Sequence, residues 1–459
     1  MADRAREVAW RTLQAVSVDG AYANLVLPRL LAERGLAGRD AALATELAYG
    51  TLRASGLLEE ILDRCLSRPL ADVEPGVLDL LRLGGYQLLK TRIPPHAAVA
   101  STVELARAVG HSHSAGFVNA VLRAVTAHDY EQWCEVIAPD APEPVRLALR
   151  YAHPGWIVAA FAEALGADDA GGAAELAEAL AADDARPVTH LVAFPDRLDR
   201  GELVVEAGGE AGPYSPFAVR LESGGRPGDL AAVRDHRAGV QDEGSQLCAW
   251  ALTRLPVAAD GADPGGERWL DLCAGPGGKA ALLAALAAPV GARLTANELH
   301  PHRAELVRQA LDGRPVELVV GDGRQWADRP EGHEGFDRIL LDAPCTGLGA
   351  LRRRPEARWR KAPADLADLV VLQAELLDAA AALLRPGGVL GYVTCSPHPA
   401  ETVQQIERVL ERDSRLELLD ARAAFAVSDA EVAALPGAVQ LWPHRHGTDA
   451  MFFAGLRRT

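Results

Sequence analysis

From about Val240 onward, short apolar runs alternate with longer stretches of helical character: RWLDLC, RLTANE, VELVVGD, FDRILLDAP, VLGYVTCS and DAMFFAGLRR. Alternation of that kind leaves few architectures open, because strands separated by helices join in parallel and need helices on both faces of the sheet. The stretch 239–459 is therefore expected to be an α/β, Rossmann-like, doubly wound domain with ligands bound beyond the C-terminal ends of its strands.

The rest of the chain has a different texture. Residues 1–135 show apolar positions at helical spacing throughout, with glycine or proline breaks near Gly35, Pro69, Pro75, Pro94 and Gly110, which predicts an all-helical domain. The prolines of PDAPEPVRLALRYAHPGW (139–156) mark a linker. Residues 150–238 read as a small α+β module, with extended segments at VTHLVAF (188–194) and LVVEAG (203–208). No apolar run is long enough to cross a bilayer and the N-terminus, MADRAREVAW, is charged, so a soluble, cytoplasmic protein is expected. Its six cysteines contain no CxxC pair, so they read as reduced thiols, with no metal site. A formal net charge of −16 argues against binding nucleic acid by bulk electrostatics and leaves local basic patches open.

Within the C-terminal half, WLDLCAGPGGKA (269–280) runs from strand through a glycine-rich turn into helix. Such a loop lets the backbone approach a nucleotide and offers it the amides of a helix N-terminus. Lys279, in this loop, is one of three lysines in the chain. Glu298 follows Gly275 by 23 positions and ends the next strand, where a carboxylate accepts the hydroxyls of a ribose. Asp322, ending VVGD, is placed to take the exocyclic amine of an adenine, and Asp342 ends LLD. Acids on successive strand ends suit an adenosine-bearing ligand, and the loop lacks the GxGxxG turn that a dinucleotide favours.

Two cysteines stand at the ligand end of this sheet, Cys345 in DAPCTGLG and Cys395 in YVTCS. A thiol beside an adenosine cofactor suggests a definite reaction. Carbon 5 of a pyrimidine is too weakly nucleophilic to take a methyl group, but thiolate addition at carbon 6 makes it enamine-like. Loss of the carbon 5 proton and expulsion of the thiol then need a second group nearby. Between the cysteines, LRRRPEARWRKAP (351–363) gathers Arg352, Arg353, Arg354 and Arg358 around Trp359, which reads as a phosphate clamp with a stacking platform for single-stranded RNA.

Taken together, QDEGSQL, DLCAGPGGK, LLDAPCTGLG, RRRPEARW and YVTCS resemble the ordered motifs of the Sun/RsmB-type ribosomal RNA cytosine-5 methyltransferases of the Nop/Sun group. LRLGGYQLLKTRIPPHAAVASTVELA and GFVNAVLR (81–123) are similar to the NusB-type RNA-binding domain fused to that branch. The resemblance implies an enzyme that uses S-adenosyl-L-methionine to methylate a cytosine of 16S rRNA; a monomer is expected. It implies that Cys395 is the nucleophile, that Cys345 aids release, and that Asp342 serves the site. It further implies that Cys273, Ala274, Gly275, Pro276, Gly277, Gly278 and Lys279, with Glu298, Asp322 and Asp342, hold the cofactor or the base edge. Gly275 stands where the family commonly has alanine, and Ser101 where it commonly has an acid. Two other readings remain open: the same chemistry on tRNA or DNA, where Pro344-Cys345 could carry the nucleophile, and a non-catalytic RNA-binding or assembly factor.

Overall fold

The computed structural model describes residues 3–167, 170–221, 227–258, 266–425 and 435–459. It divides into two compact units, Met1–Arg186 with Leu351–Ala362, and Pro187–Ala350 with Pro363–Thr459.

The first unit is helical. Asp3 caps its opening helix, Arg4–Ser17, by accepting from the amide of Ala5 at 2.9 Å. That helix buries Ala5, Val8, Ala9, Thr12, Leu13 and Val16, the one-face spacing of a 3.6-residue period. Each fully buried aliphatic side chain contributes roughly 1.5–3 kcal/mol. The helix Gly38–Cys65 packs against it, and helices opening at Pro75 and Pro95 follow. The prolines of 139–156 likewise stand at helix starts rather than in a linker. Pro142 and Pro154 are the N-caps of the helices Glu143–Arg150 and Gly155–Leu165, positions outside the helix where a missing N–H costs no intrahelical bond. The helical unit thus runs on to Arg186, and the α+β module expected from residue 150 starts at Pro187.

In the second unit, Thr189–Ala193 (β1), Glu210–Ala211 (β2), Ala218–Leu221 (β3) and Ala238–Val240 (β4) form an antiparallel sheet in the order β2-β3-β1-β4. The expected extended segment LVVEAG is instead helical, Arg200–Ala207. Asp199 caps its start with a 2.6 Å bond from Gly201, and Gly208, in the left-handed region, ends it, so the caps outweigh two valines.

The larger sheet comprises Arg268–Asp271 (β5), Arg293–Glu298 (β6), Glu317–Val320 (β7), Phe336–Asp342 (β8), Leu384–Thr394 (β9), Leu416–Leu419 (β10), Val439–Gln440 (β11) and Phe452–Arg458 (β12). Its order is β10-β12-β9-β8-β5-β6-β7, with β11 beside β12. The five central strands are parallel, as expected, whereas β12, from DAMFFAGLRR, runs antiparallel to β9. Apolar clusters cover both faces, which is why Leu270, Leu340 and Leu390 are fully buried. The chain steps outward from β5 through β6 to β7 and returns to β8 on the other side of β5. That reversal puts the topological switch point at the strand ends between β5 and β8, the place where open α/β sheets hold ligands. Among the described residues no helix is long and apolar enough to cross a membrane.

Candidate active site

Strand register brings the two thiols together. In the parallel pair β8/β9, Asp342 lies opposite Val393, and the Ala343 amide donates to Val393 O at 2.9 Å. Cys345 comes three residues after Asp342 and Cys395 two after Val393, so both leave the sheet at one level. Their Sγ atoms are 3.4 Å apart, a thiol hydrogen bond well beyond the roughly 2.05 Å of a disulfide. The Cys345 thiol is held well above its usual range, first by that hydrogen bond to Cys395, then by burial and the Cys395 charge. Either sulfur can donate in this hydrogen bond, so the pair shares one thiol–thiol contact at the strand ends. Other cysteines are plain thiols: burial pushes Cys248, Cys273 and Cys65 up, and Cys134 up to about 11.

One strand over, Lys279 Nζ sits 2.8 Å from Asp342 Oδ2 across the β5/β8 switch point. Burial alone would push this ammonium down, but Asp342 beside it reverses the sign and raises it. Glu298, buried at the end of β6, accepts from the amides of Gly275 at 3.1 Å and His300 at 2.9 Å. A Cβ on Gly275 would lie 2.1 Å from Glu298 Oε2. Gly277, at φ +110°, opens the helix Gly278–Ala287, and a Cβ there would meet Ala310 at 2.6 Å. Asp322 holds the guanidinium of Arg324 at 2.6 Å, and this partner pulls its carboxyl below the usual range.

Motif reading missed two side chains at these strand ends. Asn297 donates to Leu272 O at 3.0 Å and Gly321 O at 3.1 Å, tying the ends of β5 and β7 together. Asp271 is fully buried and its oxygens make no full hydrogen bond. Burial, followed by the Asp342 charge, pushes its carboxyl up to about 8. The signals were present in TANE and LDLC, but a polar residue inside an apolar strand declares itself only through its depth. With Asn297 Oδ1 also buried and unpartnered, and the glycine loop free of side chains, the switch point fits a polar ligand with hydrogen-bond donors.

The basic segment belongs to the other unit. Residues 351–362 belong to the helical unit, and there Arg358 is fully buried, its guanidinium 3.0 Å from Asp183 Oδ2 and 2.9 Å from Ala152 O. Asp183 also takes His153 Nε2 at 2.9 Å, and burial, then Arg358, pushes that imidazole down. Trp359 donates to Leu52 O at 3.0 Å and lays its ring over Gly56, while Arg360 reaches Val16 O at 2.6 Å. Arg358 is thus held inside the fold, contrary to its reading as a clamp, while Trp359 is half-buried with its indole N–H engaged by the backbone. Arg352 is buried as well, Arg353 is half-buried, and Arg354 is exposed. In the same unit, Glu74, His111 and His113 bring one potential ligand atom each within 4.8 Å of the others.

Comparison with known proteins agrees with this geometry. Residues 262–457 match the family described as 16S rRNA methyltransferase RsmB/F, and residues 3–127 match the NusB family. A putative methyltransferase of Mycobacterium tuberculosis (strain ATCC 25618 / H37Rv) is 56% identical over 99% of this chain and 97% of its own. The probable ribosomal RNA small subunit methyltransferase B of Bacillus subtilis (strain 168) is 32% identical over 99% of this chain and 98% of its own. Among solved structures, PH0851 superposes with a TM-score of 0.82 at 21% identity, covering 100% of this chain and 99% of that one, a likeness of fold. The matches span both units, and the chain belongs to the RsmB/F family of 16S rRNA methyltransferases, with a NusB-family domain at its N-terminus.

Proposed function

We propose that the chain transfers a methyl group from S-adenosyl-L-methionine to carbon 5 of a cytosine in 16S rRNA through a covalent bond between Cys395 and carbon 6. The observation that carries this reading is the thiol pair: Sγ atoms 3.4 Å apart at the ends of neighbouring parallel strands. Cys395, in the TCS motif that resembles the family's nucleophile segment, is the sulfur proposed to attack. The cofactor supplies an electrophilic methyl; the residues fitted to hold it are the loop from Cys273 to Lys279, with Glu298, Asp322 and Asp342.

The target base must leave its stack to reach the strand ends. The Cys395 thiolate forms the S–C6 bond, and the electron pair of the ring C5=C6 bond becomes available at carbon 5 to form the new C–CH3 bond; the electron pair of the broken bond stays on the donor sulfur, which leaves as a neutral thioether. Asp342, fixed by Lys279, holds the base edge or the cofactor beside it. Loss of the carbon 5 proton rebuilds the ring double bond as the S–C6 electrons return to Cys395, with Cys345 assisting that release. The relatives' names, a ribosomal RNA small subunit methyltransferase B among them, support rRNA as the substrate. Arg353 and Arg354 are proposed to meet its phosphates.

The test is a denaturing gel of each cysteine variant incubated with 16S rRNA and S-adenosyl-L-methionine. Cys345→Ala is expected to show a slow, RNA-dependent band and Cys395→Ala none. The reverse pattern exchanges the roles, and full methylation by both variants overturns cysteine catalysis.

A further inference from the structure

Behind the two thiols lies a buried carboxylate for which the proposed reaction assigns no part. Glu401, fully buried in the short turn Pro399–Glu401, receives the Thr346 amide at 2.8 Å and Gln373 Nε2 at 3.0 Å on one oxygen, and the Thr346 hydroxyl on the other. Thr346 Oγ1 in turn lies 3.2 Å from Ser396 Oγ. Thr346 follows Cys345 and Ser396 follows Cys395, so one carboxylate and one hydroxyl join the two loops at the residues next to the thiols. Gln373 also donates to Pro344 O at 2.8 Å, fixing the residue before Cys345, and Tyr392 donates to Glu401 O at 2.8 Å, fixing the turn to β9. The donors that meet this carboxylate are neutral. An acid kept dry among neutral donors is an expensive way to hold a turn, and an apolar contact would serve if the turn were all that mattered.

We infer that Glu401 is a positioning residue of the active site: through Thr346 and Ser396 it sets the spacing of Cys345 and Cys395, and with it the release half of the reaction. The inference rests on the proposed thiol chemistry for its catalytic half only. Its geometric half concerns two sulfurs that are present whatever the substrate. Glu401's charge also helps Cys345 keep its proton, after the hydrogen bond to Cys395, burial and the Cys395 charge.

The experiment uses the full-length protein with Glu401→Gln, which puts an NH2 against the donors of Thr346, with Thr346→Val, and with the conservative Thr346→Ser. First, without RNA, the rate at which diamide joins Cys345 to Cys395 is followed by mass spectrometry. Glu401→Gln and Thr346→Val are expected to cross-link at least about tenfold more slowly, because displacements of about 1 Å have effects of that size or larger. Thr346→Ser is expected to match the parent. Second, with 16S rRNA and S-adenosyl-L-methionine, the slowed variants are expected to accumulate the RNA-linked band that Cys345→Ala gives, attack surviving while release fails. A purely structural defect would slow attack and release together, and that result overturns the inference, as does a cross-linking rate unchanged in both Glu401→Gln and Thr346→Val. Should Glu401→Gln not fold, Thr346→Val decides alone. A parent that cross-links quickly yet methylates no RNA sinks the proposed reaction and leaves the geometric half standing.

Discussion

Two regions that attract attention in the sequence for similar reasons behave in opposite ways. The thiols at the ends of β8 and β9 lie 50 residues apart in the chain and meet at 3.4 Å, while the arginine-rich segment between them is taken up by the helical unit. The difference lies in what each reading needed. For the thiols, parallel strands in register suffice, and register follows from the apolar runs themselves. For the arginines, the deciding partners are Asp183, Leu52 and Val16, up to 344 residues away, and nothing near the segment announces them. A buried arginine and an RNA-binding arginine look alike in a sequence. They differ only in whether an acid waits for them in the fold.

The sharpest test of that contrast is on the chemical side. Cys395→Ala is expected to lose on the order of 10⁴-fold or more in methylation rate, as removal of a nucleophile does elsewhere, with its melting curve unchanged. Comparable turnover would erase the distinction between the two regions. On the structural side, Arg358→Ala leaves Asp183 buried and short of its guanidinium, and urea unfolding should show a loss of about 3–5 kcal/mol. A loss in RNA affinity without that destabilisation would restore the clamp reading.

Asp271 gives the next effect, through pH. Its carboxyl is pushed up to about 8 in the folded chain, against an unfolded value near 3.9. Between those values the folded state binds the extra proton, so stability falls as pH rises from about 4 and levels off above about 8. Asp271→Asn should flatten that decline, with a stability gain of a few kcal/mol at pH 8 that disappears near pH 4 in parallel denaturant titrations. A gain that does not change with pH would show that Asp271 is ionised. Smaller still, Glu298→Ala is expected to weaken S-adenosyl-L-methionine binding by about 1–3 kcal/mol in calorimetry, and unchanged affinity removes Glu298 from the site. The smallest effect belongs to the exposed end of the basic segment, where Arg354→Ala should lower the salt slope of RNA binding by about 1. An unmoved slope leaves Arg354 as a solvated side chain.

How far the sequence carried the reading depended on distance along the chain. The parallel direction of β5 to β9, the glycine turn and the strand-end position of Glu298 and Asp342 rest on local patterns and are legible in the sequence, whereas the order of the strands is not. LVVEAG is not legible, because its valines favour a strand and only the caps Asp199 and Gly208 make it helical. The antiparallel β12 is not either, since an apolar run does not state its direction. Glu401 and Asp271 escaped for a third reason: their importance comes from desolvation, which belongs to the folded state alone.

The helical unit is assembled from two separated lengths of chain, Met1–Arg186 and Leu351–Ala362, and this bears on its synthesis. A ribosome that has released residue 186 has delivered Asp183 and His153 but not Arg358, so the nascent domain lacks the cation for its buried acid and the indole that covers Gly56. Roughly 170 more residues must emerge first, and at about 5–20 residues per second that is a wait of about ten to thirty seconds. During it the N-terminal helices are exposed with an unfilled seat for Trp359, and a fragment cut at residue 186 would stay in that condition permanently.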